Sequence, residues 1–171
     1  EMVKYGAKVL GGCCGTTPAY VAKLKEMVAT VNASVVKKKP RQLAVCTPLK
    51  TVVVDQPRIV GERINPTGKK RFKQALRDND MNYILSQAIE QIDAGADILD
   101  VNVGSPDIDE KEMMVKVIKA LQAIVDVPLQ IDSTKPEVLE AALRVYNGKP
   151  IVNSVNGEEE VLDTILPIVA K

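Results

Sequence analysis

From about Arg58 to Lys171 the chain alternates short β-rich runs with polar or glycine-containing turns and amphipathic stretches. The first run, Arg58-Ile59-Val60-Gly61-Glu62-Arg63-Ile64, is closed by the loop Asn65-Pro66-Thr67-Gly68. Met81, Ile84, Leu85, Ala88 and Ile92 then recur at three- and four-residue spacing, which predicts a helix from about Met81 to Ala94, with Asp80 as N-cap and Gly95 just past its end. A second strand, Asp97 to Val103, leads through Gly104 to a helix carrying Met113, Val117, Leu121 and Ile124. The third, Pro128 to Asp132, is followed by a helix that starts beside Ser133 or Thr134 with Pro136 in its first turn. The fourth, Pro150 to Val155, runs into the acidic helix start Glu158-Glu159-Glu160, and that helix continues to the chain end. Repeated βα units predict an α/β fold on a parallel sheet. Four such units are about half of the eight in a closed (β/α) barrel, so a partial TIM-type barrel is expected.

Residues 1–36 read as a separate βα piece: Lys8-Val9-Leu10 as strand, Gly11-Gly12-Cys13-Cys14-Gly15 as turn, and a helix from Pro18 to about Val31. Residues 37–57, rich in Lys, Pro, Thr and Val and without helical periodicity, read as an interdomain connection that is extended in places, which leaves 58–171 as the second domain. The basic run Lys37-Lys38-Lys39-Pro40-Arg41 is most simply a solvated part of that connection; a localisation signal or a membrane-surface contact is the other reading.

Side chains alternate across a strand. In the second strand Leu99, Val101 and Val103 share an apolar face suited to lie under helices, which turns Ile98, Asp100 and Asn102 the other way. The same parity groups Gln130 with Asp132 and Ile151 with Asn153, while Glu62 and Asn65 end the first repeat. In a βα barrel that second face is the interior, and active sites form at its C-terminal rim, so Asn102, Asp132 and Asn153 are expected to converge on one mouth. Asp and Asn at strand ends also cap helices and shape turns, and for any one of them alone that reading stands equal. Their recurrence in successive repeats, with Ser133, Thr134 and Ser154 already present for capping, favours a site.

Composition narrows the chemistry. The chain has no histidine and no tryptophan, which removes imidazole-based triads, papain-like pairs and His-ligated zinc hydrolase sites. Net charge is +1 with both signs dispersed, and aromatics are few, so neither a nucleic-acid groove nor a base-stacking platform is expected. No apolar stretch approaches the ~20 residues of a membrane span, and the start EMVKYGAK has no signal-peptide pattern. A cytoplasmic protein is the expectation. Three cysteines, two of them adjacent, do not make a secreted disulfide framework, and reduced thiols are expected.

A mouth of amides and carboxylates suits a neutral heterocycle rich in N–H donors, because a carboxylate accepts two parallel hydrogen bonds from a ring N–H and its neighbouring amine. A pterin presents that edge. The chain has neither a GxxxxGK[ST] loop nor a GxGxxG turn for phosphates.

In order and spacing, Gly61-Glu62-Arg63-Ile64-Asn65-Pro66-Thr67-Gly68, Leu99-Asp100-Val101-Asn102-Val103-Gly104, Ile131-Asp132-Ser133-Thr134 and Asn153-Ser154-Val155 resemble the pterin-binding domain of cobalamin-dependent methionine synthases. The related corrinoid methyltetrahydrofolate methyltransferases share these motifs. The N-terminal Gly11-Gly12-Cys13-Cys14-Gly15-Thr16 resembles the end of the homocysteine-binding barrel that precedes the pterin domain in those synthases. The resemblance implies that Asp132 and Asn153 hydrogen-bond the pterin, that Asn102 lines the pocket, and that Glu62, Asn65 and Asp100 contribute. It also implies that Cys13 and Cys14 are two zinc ligands, the third lying upstream of Glu1; Cys46 matches nothing in the motif. The implied substrate is methyltetrahydrofolate, whose N5-methyl passes to cobalamin on a partner domain or module and on to homocysteine. The isolated chain, holding half a barrel, is expected to lack turnover. Three alternatives remain: a corrinoid methyltetrahydrofolate methyltransferase, a dihydropteroate synthase-like enzyme, which leaves the Cys-Cys piece unexplained, and a non-catalytic half-domain that only binds pterin or self-associates. Exposed sheet edges and an open apolar interior make pairing with a second copy the expectation.

Overall fold

The computed structural model describes residues 2–5, 7, 9–31 and 42–171, which form two compact units, one within Glu1–Arg41 and the other Gln42–Lys171. The basic run 37–41 and Lys8 lie outside the described residues.

In the first unit a single 3-10 turn, Met2–Tyr5, precedes helix α1, Pro18–Ala29. Thr17 caps α1 by accepting from the Tyr20 N–H at 3.3 Å, and Pro18 occupies the first helical position, where no N–H is missed. Val9 and Leu10, expected in a strand, have no regular structure. A strand needs a neighbour to take up its N–H and C=O groups, and among the described residues none lies beside them.

The second unit begins earlier than the repeat pattern suggests. Within the stretch expected to connect domains, β1 (Ala44–Cys46) and β2 (Thr51–Val53) form an antiparallel hairpin with Val45 opposite Val52. There follow β3 (Val60–Ile64), α2 (Lys70–Asp78), α3 (Met81–Asp93), β4 (Ile98–Val101), α4 (Glu110–Gln122), β5 (Leu129–Asp132), α5 (Pro136–Val145), β6 (Ile151–Asn153) and α6 (Glu159–Ala170). The four later strands make one parallel sheet in the order β3-β4-β5-β6, the sequential arrangement of a (β/α) barrel segment.

Helix α2 is absent from the periodicity reading. Its sequence KRFKQALRD offers only Phe72, Ala75 and Leu76 to the core, and all three are buried. Asp80 caps α3 as expected, accepting from the Tyr83 N–H at 3.1 Å. Its second oxygen pairs with Arg71 at 2.8 Å, and the Arg71 guanidinium lies 4.5 Å above the Tyr83 ring, so cap, ion pair and cation–π contact together fix the α2–α3 corner.

The core lies between sheet and helices. Ile64, Leu99, Val101, Val103, Leu129 and Ile131 from the strand layer meet Phe72, Leu76, Ile84, Met114, Val117, Ile118, Leu121, Leu139 and Ala142 from the helices, all buried. Each such aliphatic side chain contributes about 1.5–3 kcal/mol on leaving water. The opposite sheet face starts on a small apolar floor, where Ile98 and the partly buried Ile151 pack against Val45 and Val52 of the hairpin.

Hydrogen bonds hold the hairpin to the strand starts. Cys46 and Lys149 exchange backbone N–H···O bonds of 2.9 Å in both directions, and Thr47 and Asp126 are joined through their side chains. The Tyr146 hydroxyl donates to the Cys46 carbonyl at 3.0 Å and accepts from the Leu129 N–H at 3.3 Å. Gly148 allows this approach: its φ is 133°, and a Cβ there would stand 2.2 Å from the Cys46 carbonyl oxygen. Gly148→Ala is therefore expected to destabilise the protein by about 2 kcal/mol or more, read as a lowered urea midpoint. An unchanged midpoint would show that the hairpin does not need this contact.

Candidate functional site

Register places the inward-facing polar residues in rungs above the hydrophobic floor. Asp100 pairs with Gln130 and Gln130 with Ile151; one step further, Asp132 pairs with Asn153, and Asn102 follows the end of β4 at the same height. The three residues expected to converge thus stand side by side, and Asn102 Nδ2 donates to Asp132 Oδ2 at 2.9 Å. Parallel pairing without slippage brings this about, because Leu99, Val101, Leu129 and Ile131 commit the other parity to the helices.

Each member of the upper rung is held by its surroundings. Asn102 accepts from the Gly104 N–H at 2.8 Å through Oδ1, and its own N–H reaches the Ile64 carbonyl at 2.9 Å. The Asn153 carbonyl accepts from the Ser133 N–H at 2.9 Å, tying the end of β6 to β5. Among the described residues none donates to Asp132 Oδ1, so this oxygen and the Asn153 amide are the groups the rung offers to a ligand.

Below it, Asp100 is only 2% exposed and accepts from Gln130 Nε2 at 2.5 Å. Burial pushes its carboxyl above the usual carboxylate range. Hydrogen bonds from Gln130 and Asn153 oppose this, and the negative charges of Asp132 and Glu62 add to it.

The loop after β3 is a local cluster. Asn65 Nδ2 donates to Glu62 Oε1 at 2.6 Å, the Thr67 N–H donates to Asn65 Oδ1 at 2.8 Å, and Lys69 Nζ stands 3.2 Å from Glu62 Oε2. Glu62 is exposed and Asn65 buried. Below this loop β3 departs from regular pairing between Gly61 and Ile64, and Gln91 of α3 enters the gap, accepting from the Arg63 N–H at 2.6 Å. A Cβ on Gly61 would stand 2.7 Å from that amide oxygen.

Gln130, which strand parity turns to the same face as Asp132, is not among the expected site residues, and giving an amide the same weight as a carboxylate adds it. Glu110, in the first turn of α4, is invisible to strand parity. It accepts from Ser133 Oγ at 2.6 Å and pairs with Lys135 at 3.0 Å, joining the loops after β4 and β5.

In the first unit the Cys13 and Cys14 sulfurs are 3.8 Å apart and exposed. Two Zn–S bonds of about 2.3 Å at the tetrahedral angle place sulfurs about 3.8 Å apart, so the pair fits two positions on one zinc ion. The Cys14 backbone N–H, and after it the Cys14 thiol, hydrogen-bond Cys13 and hold its thiol below the ordinary value. Among the described residues no group of three or more His, Cys, Asp or Glu is placed to hold a metal ion.

A model of the pterin binding enzyme family matches residues 61–171, and a model of the homocysteine S-methyltransferase family matches residues 1–28. The methionine synthase of Mycobacterium tuberculosis (strain ATCC 25618 / H37Rv) is 31% identical over 160 residues, covering 92% of this chain and 13% of that protein. That of Mycobacterium leprae (strain TN) is 30% identical over 165 residues, covering 92% of this chain and 14% of that protein. This chain therefore spans a small part of the curated relatives it matches. Among solved structures, Xanthomonas albilineans dihydropteroate synthase with 4-aminobenzoic acid aligns with a TM-score of 0.54 at 22% identity, over 75% of this chain and 49% of that one. The same enzyme in complex with 7,8-dihydropteroate aligns with a TM-score of 0.51 at 26% identity, over 75% and 48%.

The Asp100 environment sets the sign of a pH effect. Between the ordinary carboxyl value of 3.8 and the raised value in the fold, the folded chain holds more protons than the unfolded one, so stability from this group falls as pH rises through that window. Urea midpoints followed from about pH 3.5 to about pH 7 should show the wild type losing stability relative to Asp100→Asn as pH rises. Parallel curves would contradict a strained carboxylate.

Proposed function

Because the chain belongs to the pterin binding enzyme family, we propose that its second unit supplies pterin-binding residues to a methyltransferase that moves the N5-methyl of methyltetrahydrofolate to cobalamin and on to homocysteine. The observation that carries this reading is the rung Asn102–Asp132–Asn153, an acceptor-bearing ledge at the C-terminal rim of a barrel segment. Asp132, steadied by Asn102, accepts from ring N–H and amino groups of the pterin, and Asn153 extends the same edge. Asp100 lies beneath this edge, while Glu62 and Asn65 stand at the start of the mouth. In this reading residues 1–36 are the end of a homocysteine-binding domain, and residues 58–171, together with the hairpin that packs on their sheet, are the first half of a pterin-binding domain.

Methyl transfer breaks the N5–CH3 bond, leaves its electron pair on N5 and calls for a proton there. Cobalamin, held by a partner domain or module, supplies the nucleophile that takes the methyl. This chain's part is to bind and orient the pterin so that N5 faces the open rim. Handling of the N5 proton is assigned to groups from the remainder of the barrel, so this chain alone binds without turning over. Cys13 and Cys14 would hold zinc with a ligand from outside this chain, and the ion would supply thiol activation for homocysteine. The pairing of a homocysteine S-methyltransferase match with a pterin match in one chain favours this reading over a dihydropteroate synthase. Open edges at β3 and β6 support pairing with further strands or with a second copy.

Calorimetric titration of the chain with methyltetrahydrofolate tests the reading. Asp132→Ala and Asn153→Ala should each weaken binding on the order of 10- to 100-fold, as expected for loss of a hydrogen bond to a charged or buried partner. Full affinity in Asp132→Ala, or no wild-type binding at millimolar ligand, would overturn it.

A further inference from the structure

Glu110 belongs to the first turn of α4, outside the strands, yet its carboxylate touches the supports of both ends of the upper rung. Its Oε1 accepts from the Ser133 hydroxyl at 2.6 Å, its Oε2 stands 3.0 Å from Lys135 Nζ, and the side chain is only 10% exposed. Ser133, the residue directly after Asp132, is buried and engaged at every polar atom but its carbonyl. Its hydroxyl also accepts from the Lys135 N–H at 3.2 Å, and its own N–H donates to the Asn153 carbonyl at 2.9 Å. On the other side, a Cβ on Gly104 would stand 3.8 Å from the Glu110 carboxyl carbon, in ordinary contact, and the Gly104 N–H is the group that holds Asn102 Oδ1 at 2.8 Å. Asn102 in turn donates to Asp132 Oδ2. One carboxylate therefore borders both loops from which the rung is held.

Stability alone explains this placement poorly. A carboxylate taken out of water costs free energy that its hydrogen bonds only offset, and an ion pair with a half-exposed lysine adds little. What the arrangement supplies is direction. The Ser133 hydroxyl gives its hydrogen to Glu110 and a lone pair to the Lys135 N–H, which fixes the turn that follows Asp132. We propose that Glu110 is a positioning residue: acting through Ser133, it holds the turn after β5 so that Asp132 Oδ1 and Asn153 stay at one height for a ligand. The proposal rests on the pterin reading of the site, in which Asp132 accepts from the ring edge. With the turn loosened, Asp132 is still present but free to tilt, and hydrogen bonds to a planar heterocycle weaken steeply as their angle departs from linear.

A double-variant cycle on the affinity for methyltetrahydrofolate, measured by calorimetry on the whole chain, provides the test. Glu110→Ala and Ser133→Ala should each weaken binding by about fivefold to tenfold, and the double variant should be no weaker than either alone. Glu110→Gln keeps a partner for the Ser133 hydroxyl and should stay within about twofold of the wild type. A merely stabilising Glu110 would lower the urea midpoint of Glu110→Ala and leave the affinity of the folded protein unchanged. That result, or losses that multiply in the double variant, would overturn the proposal. Hydrogen exchange at the Ser133 backbone N–H in ligand-free protein gives a second readout. It should be slow in the wild type and in Glu110→Gln, and on the order of tenfold faster in Glu110→Ala. If wild-type protein does not bind methyltetrahydrofolate, the pterin reading fails and this exchange alone decides: protection lost in Glu110→Ala upholds the positioning role, and equal protection overturns it. Glu110→Met, which fills the same space without a carboxylate, replaces Glu110→Ala in both readouts where the latter does not fold.

Discussion

The site depends on the commitment of one strand parity to the helices. Leu99, Val101, Leu129 and Ile131 are fully buried beneath α4 and α5, and a shift of one residue in either strand would replace them with Asp100, Asn102, Gln130 and Asp132. Several aliphatic side chains at about 1.5–3 kcal/mol each make such a shift prohibitive. The polar residues are thus carried to the inner face by the packing of their neighbours and not by any attraction of their own. The candidate site lies on the reverse side of the core.

Along that inner face polarity rises from one end of the strands to the other. Ile98 and Ile151 lie on the hairpin, Asp100 and Gln130 come next, and Asn102, Asp132 and Asn153 finish at the rim. The middle layer is the costly one, because a carboxylate has left water there. The Gln130 amide, which cannot ionise, stands beside it and donates to the carboxylate without neutralising it.

Much of this was legible in the chain. Period-two alternation gave the two faces of β4 and β5, and the spacing of Met81, Ile84, Ala88 and Ile92 gave α3 with its Asp80 cap. Helix α2 was hidden because a short helix with three apolar residues carries little periodic signal. The hairpin was hidden for another reason: three-residue strands have no measurable period, and Val45 and Val52 acquire meaning only through Ile98 and Ile151, far along the chain. Val9 and Leu10 show the converse, a β-prone run with no described strand beside it. Within the site, strand parity found the residues on strands but not Glu110, which reaches Ser133 from a helix start.

The hairpin also orders events in time. The bond from Tyr146 to the Cys46 carbonyl joins positions 100 residues apart, whereas the βα units between them are built from nearer contacts. Closing a loop of that length costs about 4 kcal/mol in chain entropy beyond a constant, and nothing local offsets it until β4, β5 and α5 already stand in place. The floor of the sheet is therefore the last part to close and the first to open. When it opens, Ile98 and Ile151 meet water while the layer under α4 and α5 stays dry, which gives the unit a separable cooperative step at the end of the sheet away from the candidate site.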